Sequence, residues 1–151
     1  MDVVAVPGSF LEILGRLLLA TLFGAVIGLN REREGKPAGL RTHALVALGA
    51  AMLTIVGLLL QGSDVSAPGR ILQGIVAGVG FIGAGVILHR QDARGVHGLT
   101  TAAAIWIVSA IGVATGAGLW RTAASAVGLA FALLVVGERI DRWVHRDSAR
   151  Q

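Results

Sequence analysis

An all-α bundle of about five membrane-spanning helices is the fold class this sequence predicts, and three observations predict it. Apolar residues fill 54% of the 151 positions and charged residues only 15%, against about 25% charged in an average soluble domain. Those charges are segregated: positions 17–30, 42–63, 71–89, 95–120 and 122–137 contain no Asp, Glu, Lys or Arg. The second, third and fourth windows are long enough, unaided, to cross a ~30 Å hydrocarbon layer, which takes about 20 helical residues.

The elements follow in order. The first window is short, so helix 1 is expected over about 10–29, starting near Phe10 and drawing in Glu12 and Arg16. These stand four apart with the acid first, the favourable order for an intrahelical ion pair, and are expected in the headgroup zone. Helices 2, 3 and 4 are expected over about 42–60, 71–88 and 100–118. Helix 5, over about 120–137, reaches spanning length once Trp120 and Arg121 are admitted at the interface. From Glu138 to Arg150 the charges alternate in sign around Ile140, Trp143 and Val144. Residues 138–151 are therefore expected to form a cytoplasmic amphipathic tail, an end of helix 5 lying along the inner surface. Met1 to Ser9 carry Asp2 and no Lys or Arg, so the positive region of a cleavable signal is not expected.

Orientation follows from the basic residues. Arg31, Arg33, Lys36, Arg41, Arg90, Arg94, Arg139, Arg142, Arg146 and Arg150 fall on one side; Arg16, Arg70 and Arg121 fall on the other. The positive-inside rule then puts the N-terminus outside and the C-terminus in the cytoplasm, with Trp120 and Trp143 near opposite interfaces. The pI of 11.3 thus reports topology, and no nucleic-acid partner is expected.

Several chemistries are excluded or unsupported. With no Cys there is no disulfide scaffold, thiolate zinc site or cysteine nucleophile. All nine acids lie outside the uncharged windows, whereas cation carriers place carboxylates inside the bundle and Mg²⁺ favours oxygen ligands. His43, His89 and His97 gather near one boundary at a spacing that fits no ligand motif. No nucleophile, base and orienter set appears, so neither enzyme activity nor a metal or cofactor is expected.

Glycine, 22 of 151 residues, is about double the usual ~7%. Residues 78–83 spell G-x-G-x-x-G, but inside an apolar span, without the strand and acidic residue that a dinucleotide site needs. Gly74, Gly78, Gly80, Gly83 and Gly85 are read instead as small residues for close helix packing. Sliding the chain by 59 positions matches 9 of the 28 residues from 24 to 51, where about three would arise by chance in so biased a composition. This predicts a parallel two-helix repeat, helices 1–2 and 3–4, about an axis along the membrane normal, with helix 5 outside it. Each unit has a basic loop followed by G-L-x-T: Gly39-Leu40-Arg41-Thr42 and Gly98-Leu99-Thr100-Thr101. Two helix amino ends near Arg31, Arg41 and Arg90 would suit an anion such as a lipid headgroup or a phosphate.

Leu22 to Glu34 (LFGAVIGLNRERE), Lys36 to Ala50 (KPAGLRTHALVALGA), Gly74 to Leu88 (GIVAGVGFIGAGVIL) and Val96 to Gly112 (VHGLTTAAAIWIVSAIG) resemble, in order, the conserved blocks of the MgtC/SapB membrane family. The resemblance runs over about 10–140 and implies a bacterial inner-membrane protein. Its best-known members are linked to low magnesium and survival in macrophages, by action on the membrane ATP synthase rather than by carrying Mg²⁺. Others are associated with Mg²⁺ transport or acid response. Carried over, the characteristic polar positions are Arg31, Glu32, Arg41, Thr42, Thr100 and Thr101, with Arg90 added by the repeat. His97 stands where the family usually has Arg, Thr100 where some virulence-linked members have Asn, and no soluble regulatory domain is expected after the tail. The resemblance implies a non-enzymatic protein that regulates or scaffolds a membrane partner, such as ATP synthase or a second copy of itself, under magnesium limitation or acid stress. The alternative is a small ion transporter or channel subunit for Mg²⁺.

Overall fold

The computed structural model describes residues 4, 6–62, 66–88 and 98–148, with side chains to residue 140. Among them the chain is all-helical, in five helices each long and apolar enough to cross a membrane. These are α1 (Phe10–Arg33), α2 (Leu40–Leu60), α3 (Ala67–Leu88), α4 (Leu99–Gly116) and α5 (Trp120–Ser148).

Local capping, rather than the edge of each apolar window, sets the ends. Ser9 accepts the Glu12 N–H and starts α1, as an N-cap hydroxyl does. At its other end α1 runs through Arg33, beyond the expected 29. Gly35, at φ 64°, lets its own N–H reach Glu32 O and the Lys36 N–H reach Arg31 O. That doubly bonded left-handed close is repeated after α4, where Gly118 lies at φ 83° and the Leu119 N–H reaches Ala114 O. Helix α4 therefore ends at Gly116, two residues before the expected 118. Helix α3 starts at Ala67, four residues before 71, with Pro68 in its first turn, where a missing N–H costs nothing. Helix α5 continues unbroken to Ser148, so the expected tail begins as a continuation of the same helix.

Glycines set which helices approach closely, and they are not the ones expected. A Cβ on Gly24 would lie 2.5 Å from His43 O, and one on Gly28 would lie 2.7 Å from Leu40 Cα. The contacts run in opposite senses, so α1 and α2 are antiparallel. Gly112 faces Ala47 O and Gly116 faces Ala51 O, both too near for a side chain; both numbers rise by four, so α2 and α4 run in the same direction. By contrast, Gly74, Gly78, Gly80 and Gly85 have nothing within 4 Å, and only Gly83 meets a neighbour, Ala102 Cβ at 3.5 Å. The expectation that α3's glycines provide the close packing is thus corrected: within the chain, α1, α2 and α4 are drawn together by Gly24, Gly28, Gly112 and Gly116.

The core has two centres. Ile27, Ala47, Val108, Ile111, Ala123 and Ala130 join α1, α2, α4 and α5. Ala38, Ala50, Ile75, Val79 and Ile105 join α2, α3 and α4. Thr54 and Thr115 donate to the Ala50 and Ile111 carbonyls of their own helices, which satisfies their hydroxyls in an apolar interior. Two observations agree with the repeat. Helices α2 and α4 start 59 positions apart, each after a glycine without a side-chain cap. The contact of Gly24 with His43 also recurs as Gly83 with Ala102.

Candidate functional site

The candidate site lies at the end of the bundle where α1 finishes and α2 begins, called here the basic end. Close passage of Gly28 past Leu40 lays the last turn of α1 against the first turn of α2. Arg31 consequently points inward and is 3% exposed. Its Nη1 donates to Glu34 Oε2 at 2.9 Å, and Asn30 Nδ2 donates to Glu34 Oε1 at 2.5 Å. A buried guanidinium needs such a partner, because desolvation otherwise costs several kcal/mol.

Glu32 projects the other way. Its Oε2 accepts the Leu40 N–H at 2.8 Å, while a Cβ on Gly39 would lie only 2.9 Å from that same oxygen. The carboxylate of α1 therefore caps α2, supplying the negative charge that a helix amino end favours. This corrects part of the anion expectation, because the chain's own Glu32 holds the first N–H of α2.

The other expected residues are placed separately. Arg41 is exposed and Thr42 half-buried. Thr101 is 2% exposed, while Thr100 is exposed and lines a 380 Å³ apolar groove between α4 and α5 with Ala103, Ala130 and Leu133. The structure thus brings Arg31 and Glu32 together at the α1–α2 corner but turns Thr100 and Thr101 to different surroundings. Arg90, with His89 and His97, lies outside the described residues. Among those described, no three His, Asp or Glu side chains gather as metal ligands would.

Sequence reasoning missed four participants. Glu34 is bonded by both Asn30 and Arg31, and Lys36 Nζ stands 3.7 Å from Glu138 Oε1 of α5. The Glu34 carboxyl is held above its ordinary 4.5, first by burial and then by the neighbouring Glu138 carboxyl, with Arg31 and Lys36 opposing. His43 is fully buried, its Nδ1 2.9 Å from Gly39 O. The available signal was the pair of i+3 and i+4 spacings from Arg31 and Asn30 to Glu34. Contact with Glu138, more than a hundred positions away, left no local trace.

At the opposite end Arg16 makes the expected pair with Glu12 and a further bond across the bundle: it is 8% exposed, donates from Nη1 to Gly116 O at 2.8 Å and from Nη2 to Glu12 Oε1 at 2.5 Å. Its charge thereby stands at the carboxyl end of α4, where the helix dipole favours a cation.

With this geometry in view, comparisons with known proteins agree on one relationship. The model of the MgtC family matches residues 17–143. Protein SrpB of Synechococcus elongatus is 44% identical over 165 residues, covering 99% of this chain and 90% of its own length. YhiD of Escherichia coli K12, named as a conjectural magnesium transporter, is 43% identical over 73% of the chain. Protein MgtC of Salmonella typhimurium is 44% identical over 73% of the chain. The matches span 53% of YhiD and 46% of MgtC, so the chain corresponds to about half the length of those two relatives. No solved structure matches the chain.

Proposed function

The chain belongs to the MgtC family of membrane proteins, and from that premise we propose that it is a non-enzymatic inner-membrane protein that regulates or scaffolds a membrane partner during magnesium limitation or acid stress. One observation carries the preference for regulation over transport. Among the described residues, the buried ionisable side chains sit at the two ends of the bundle, Arg16 at one and Arg31 and His43 at the other. Between them, Thr54 and Thr115 spend their hydroxyl protons on their own backbones. A cation crossing the membrane needs carboxylates or carbonyls turned toward a shared path, and the described centre is lined by small and apolar side chains instead. What the molecule offers a partner is its basic end, with exposed Arg41 and Thr100. The partner fitting this reading is a membrane complex such as ATP synthase, or a second copy of the chain. An anionic headgroup at the amino end of α4 would add to the contact. In orientation, the basic end faces the cytoplasm.

The second reading, a small Mg²⁺ transporter or channel subunit, is favoured by the name of YhiD. Purified protein in liposomes loaded with a Mg²⁺ indicator separates the two. The expected result is a flux no greater than that of protein-free liposomes, together with co-purification of a membrane complex that weakens on Arg41→Ala. Robust flux lost in Arg41→Ala or Thr101→Val would overturn the regulatory reading. Co-purification untouched by both changes would keep scaffolding and remove this site from it.

A further inference from the structure

Helix α3 stands at the edge of the bundle, packed on α2 and α4 alone among the described helices. Its inward face is set by Ile75, Val79 and Gly83, the buried residues of the helix. On the opposite face Gly74, Ala77, Phe81, Ala84 and Leu88 follow at spacings of three and four, so they form one straight seam. All five are exposed, and Phe81, at 83%, is the most exposed large apolar side chain described. A Cβ on Gly74 or Gly85 would meet nothing within 4 Å, although glycine weakens a helix and favours places where backbones come close.

Exposure to lipid accounts for the apolar members of this face but not for its polar neighbours. Gln73 flanks the seam one turn inside Arg70; it is exposed, and its amide has no hydrogen-bond partner among the described residues. Beside the seam, Gly49 of α2 and Gly74 and Gly78 of α3 open a groove of 390 Å³ whose lining reaches Ser109 of α4. Ser109 is 4% exposed, yet, unlike Thr54 and Thr115, its hydroxyl bonds nothing among the described residues. Acyl chains offer neither group a partner, and polar side chains at membrane depth are satisfied by facing protein.

We propose that this face of α3 is the seam of a homodimer, in which α3 of a second copy packs in parallel along it and covers the groove. Both copies enter the membrane in the same sense, so a two-fold axis along the normal brings the seam against itself at equal depth. The seam is self-complementary: Phe81 is flanked along it by alanine and glycine, at the spacing of parallel helices that cross at about 20°. In such a pair, the residue just before the seam faces the partner's flank five positions on. Gln73 therefore stands beside the mouth of the second copy's groove, the one that Ser109 lines. Amide and hydroxyl are each donor and acceptor, so the two groups serve one another. Gly78 lies off the centre line, where the groove leaves room for a methyl. Positions 71–88 carry no charge, and Arg70 is turned to Ser66 Oγ of its own helix, so like copies meet without like charges in contact.

Area sets the strength. Phe81 covers about 150 Å² per copy, on a seam about 21 Å long and ~10 Å wide. That is less than the ~800 Å² per partner of a stable interface in water, but copies already held in one plane and one orientation lose less freedom on pairing. The dimer is therefore one that exchanges. Its surface is separate from the basic end, so the pairing goes beyond the regulatory reading and does not depend on it.

The chain has no cysteine, so single replacements report the contact in native membranes. Under a mild oxidant Ala77→Cys should cross-link to a product of twice the chain's mass. Val76→Cys, exposed on a different face of α3, should cross-link several times less. In liposomes the dimer fraction, counted by single-molecule photobleaching, should fall as lipid is added. Gln73→Leu is expected to raise the dissociation constant about threefold to tenfold, and Gly74→Leu to abolish pairing. Gln73 bonds nothing within the described chain and Gly74 has open space, so helix content by circular dichroism should stay that of the wild type. Equal cross-linking at Ala77→Cys and Val76→Cys, a product of any other mass, or a dimer fraction unmoved by Gly74→Leu would overturn the homodimer.

Discussion

Arg16 shows how much one side chain can decide in a membrane bundle. In sequence it is a charge at the edge of an apolar window, four residues after Glu12. In the fold it is the bolt between the start of α1 and the end of α4, donating to Gly116 O at 2.8 Å and to Glu12 Oε1. The α4 terminus is shaped to receive it: a Cβ on Gly118 would stand 3.0 Å from the guanidinium, so glycine there serves both the left-handed turn and the space. Removing a charged hydrogen-bond partner from a buried carbonyl costs about 1.5–3 kcal/mol. Arg16→Leu is therefore expected to destabilise the protein by ~2 kcal/mol in a detergent unfolding titration. Arg16→Lys should fall between it and wild type, because a single ammonium does not reproduce the guanidinium fork. Equal stability of all three proteins would show that the bond contributes nothing. Glu32 is the comparable residue at the other end, where a negative side chain from one helix completes the first turn of the next.

At the scale of the element, the five helices were legible because charge-free runs and the thickness of a bilayer leave little freedom in number or length. Their ends were less so: Gly35 and Gly118 close α1 and α4 by backbone geometry, which hydropathy does not record. The basic-end site was half legible. Arg31 and Glu32 stood out, but Glu34, Lys36 and Glu138 come together only through the fold. Glycine misled most. Five glycines in twelve positions of α3 drew attention by density, whereas the working pairs, Gly24 with Gly28 and Gly112 with Gly116, carried the plainer i, i+4 spacing. Spacing marks a face for close approach but does not say which helix arrives there. Stability should tell the two sets apart. Gly112→Ala must push α4 off Ala47 O, an overpacking expected to cost about 1–3 kcal/mol. Gly78→Ala meets nothing within 4 Å and should be neutral or stabilising by up to ~1 kcal/mol through helix propensity. Unfolding midpoints measured in bicelles would check both. If Gly78→Ala were the more damaging, the second copy would have to rest on Gly78 itself.

For the whole molecule, the distribution of charge becomes a physical axis once the helices are packed. Arg31, Arg33, Lys36, Arg41 and Arg139 gather at the end where α1 meets α2, while Arg16, Arg70 and Arg121 stand at the other. Arg121 at that end stacks 5.0 Å from the Trp120 ring centroid, a pairing of cation and amphipathic aromatic suited to an interface. Insertion in the reverse sense would carry the larger basic set across the membrane against its potential, at about 2.3 kcal/mol per charge per 100 mV. A parallel arrangement of α2 and α4 adds to the bias, since the amino ends of both helices stand at the same end of the bundle. Single cysteines at Ser66 and Arg33, probed on intact cells with a membrane-impermeant maleimide, should therefore behave oppositely. Ser66→Cys should label at once, and Arg33→Cys only after the membrane is permeabilised. The reverse pattern would place the Arg31–Glu34–Lys36–Glu138 corner outside the cell. It would then be beyond the reach of any cytoplasmic partner, and the regulatory reading would have to be rebuilt around the end that carries Arg16.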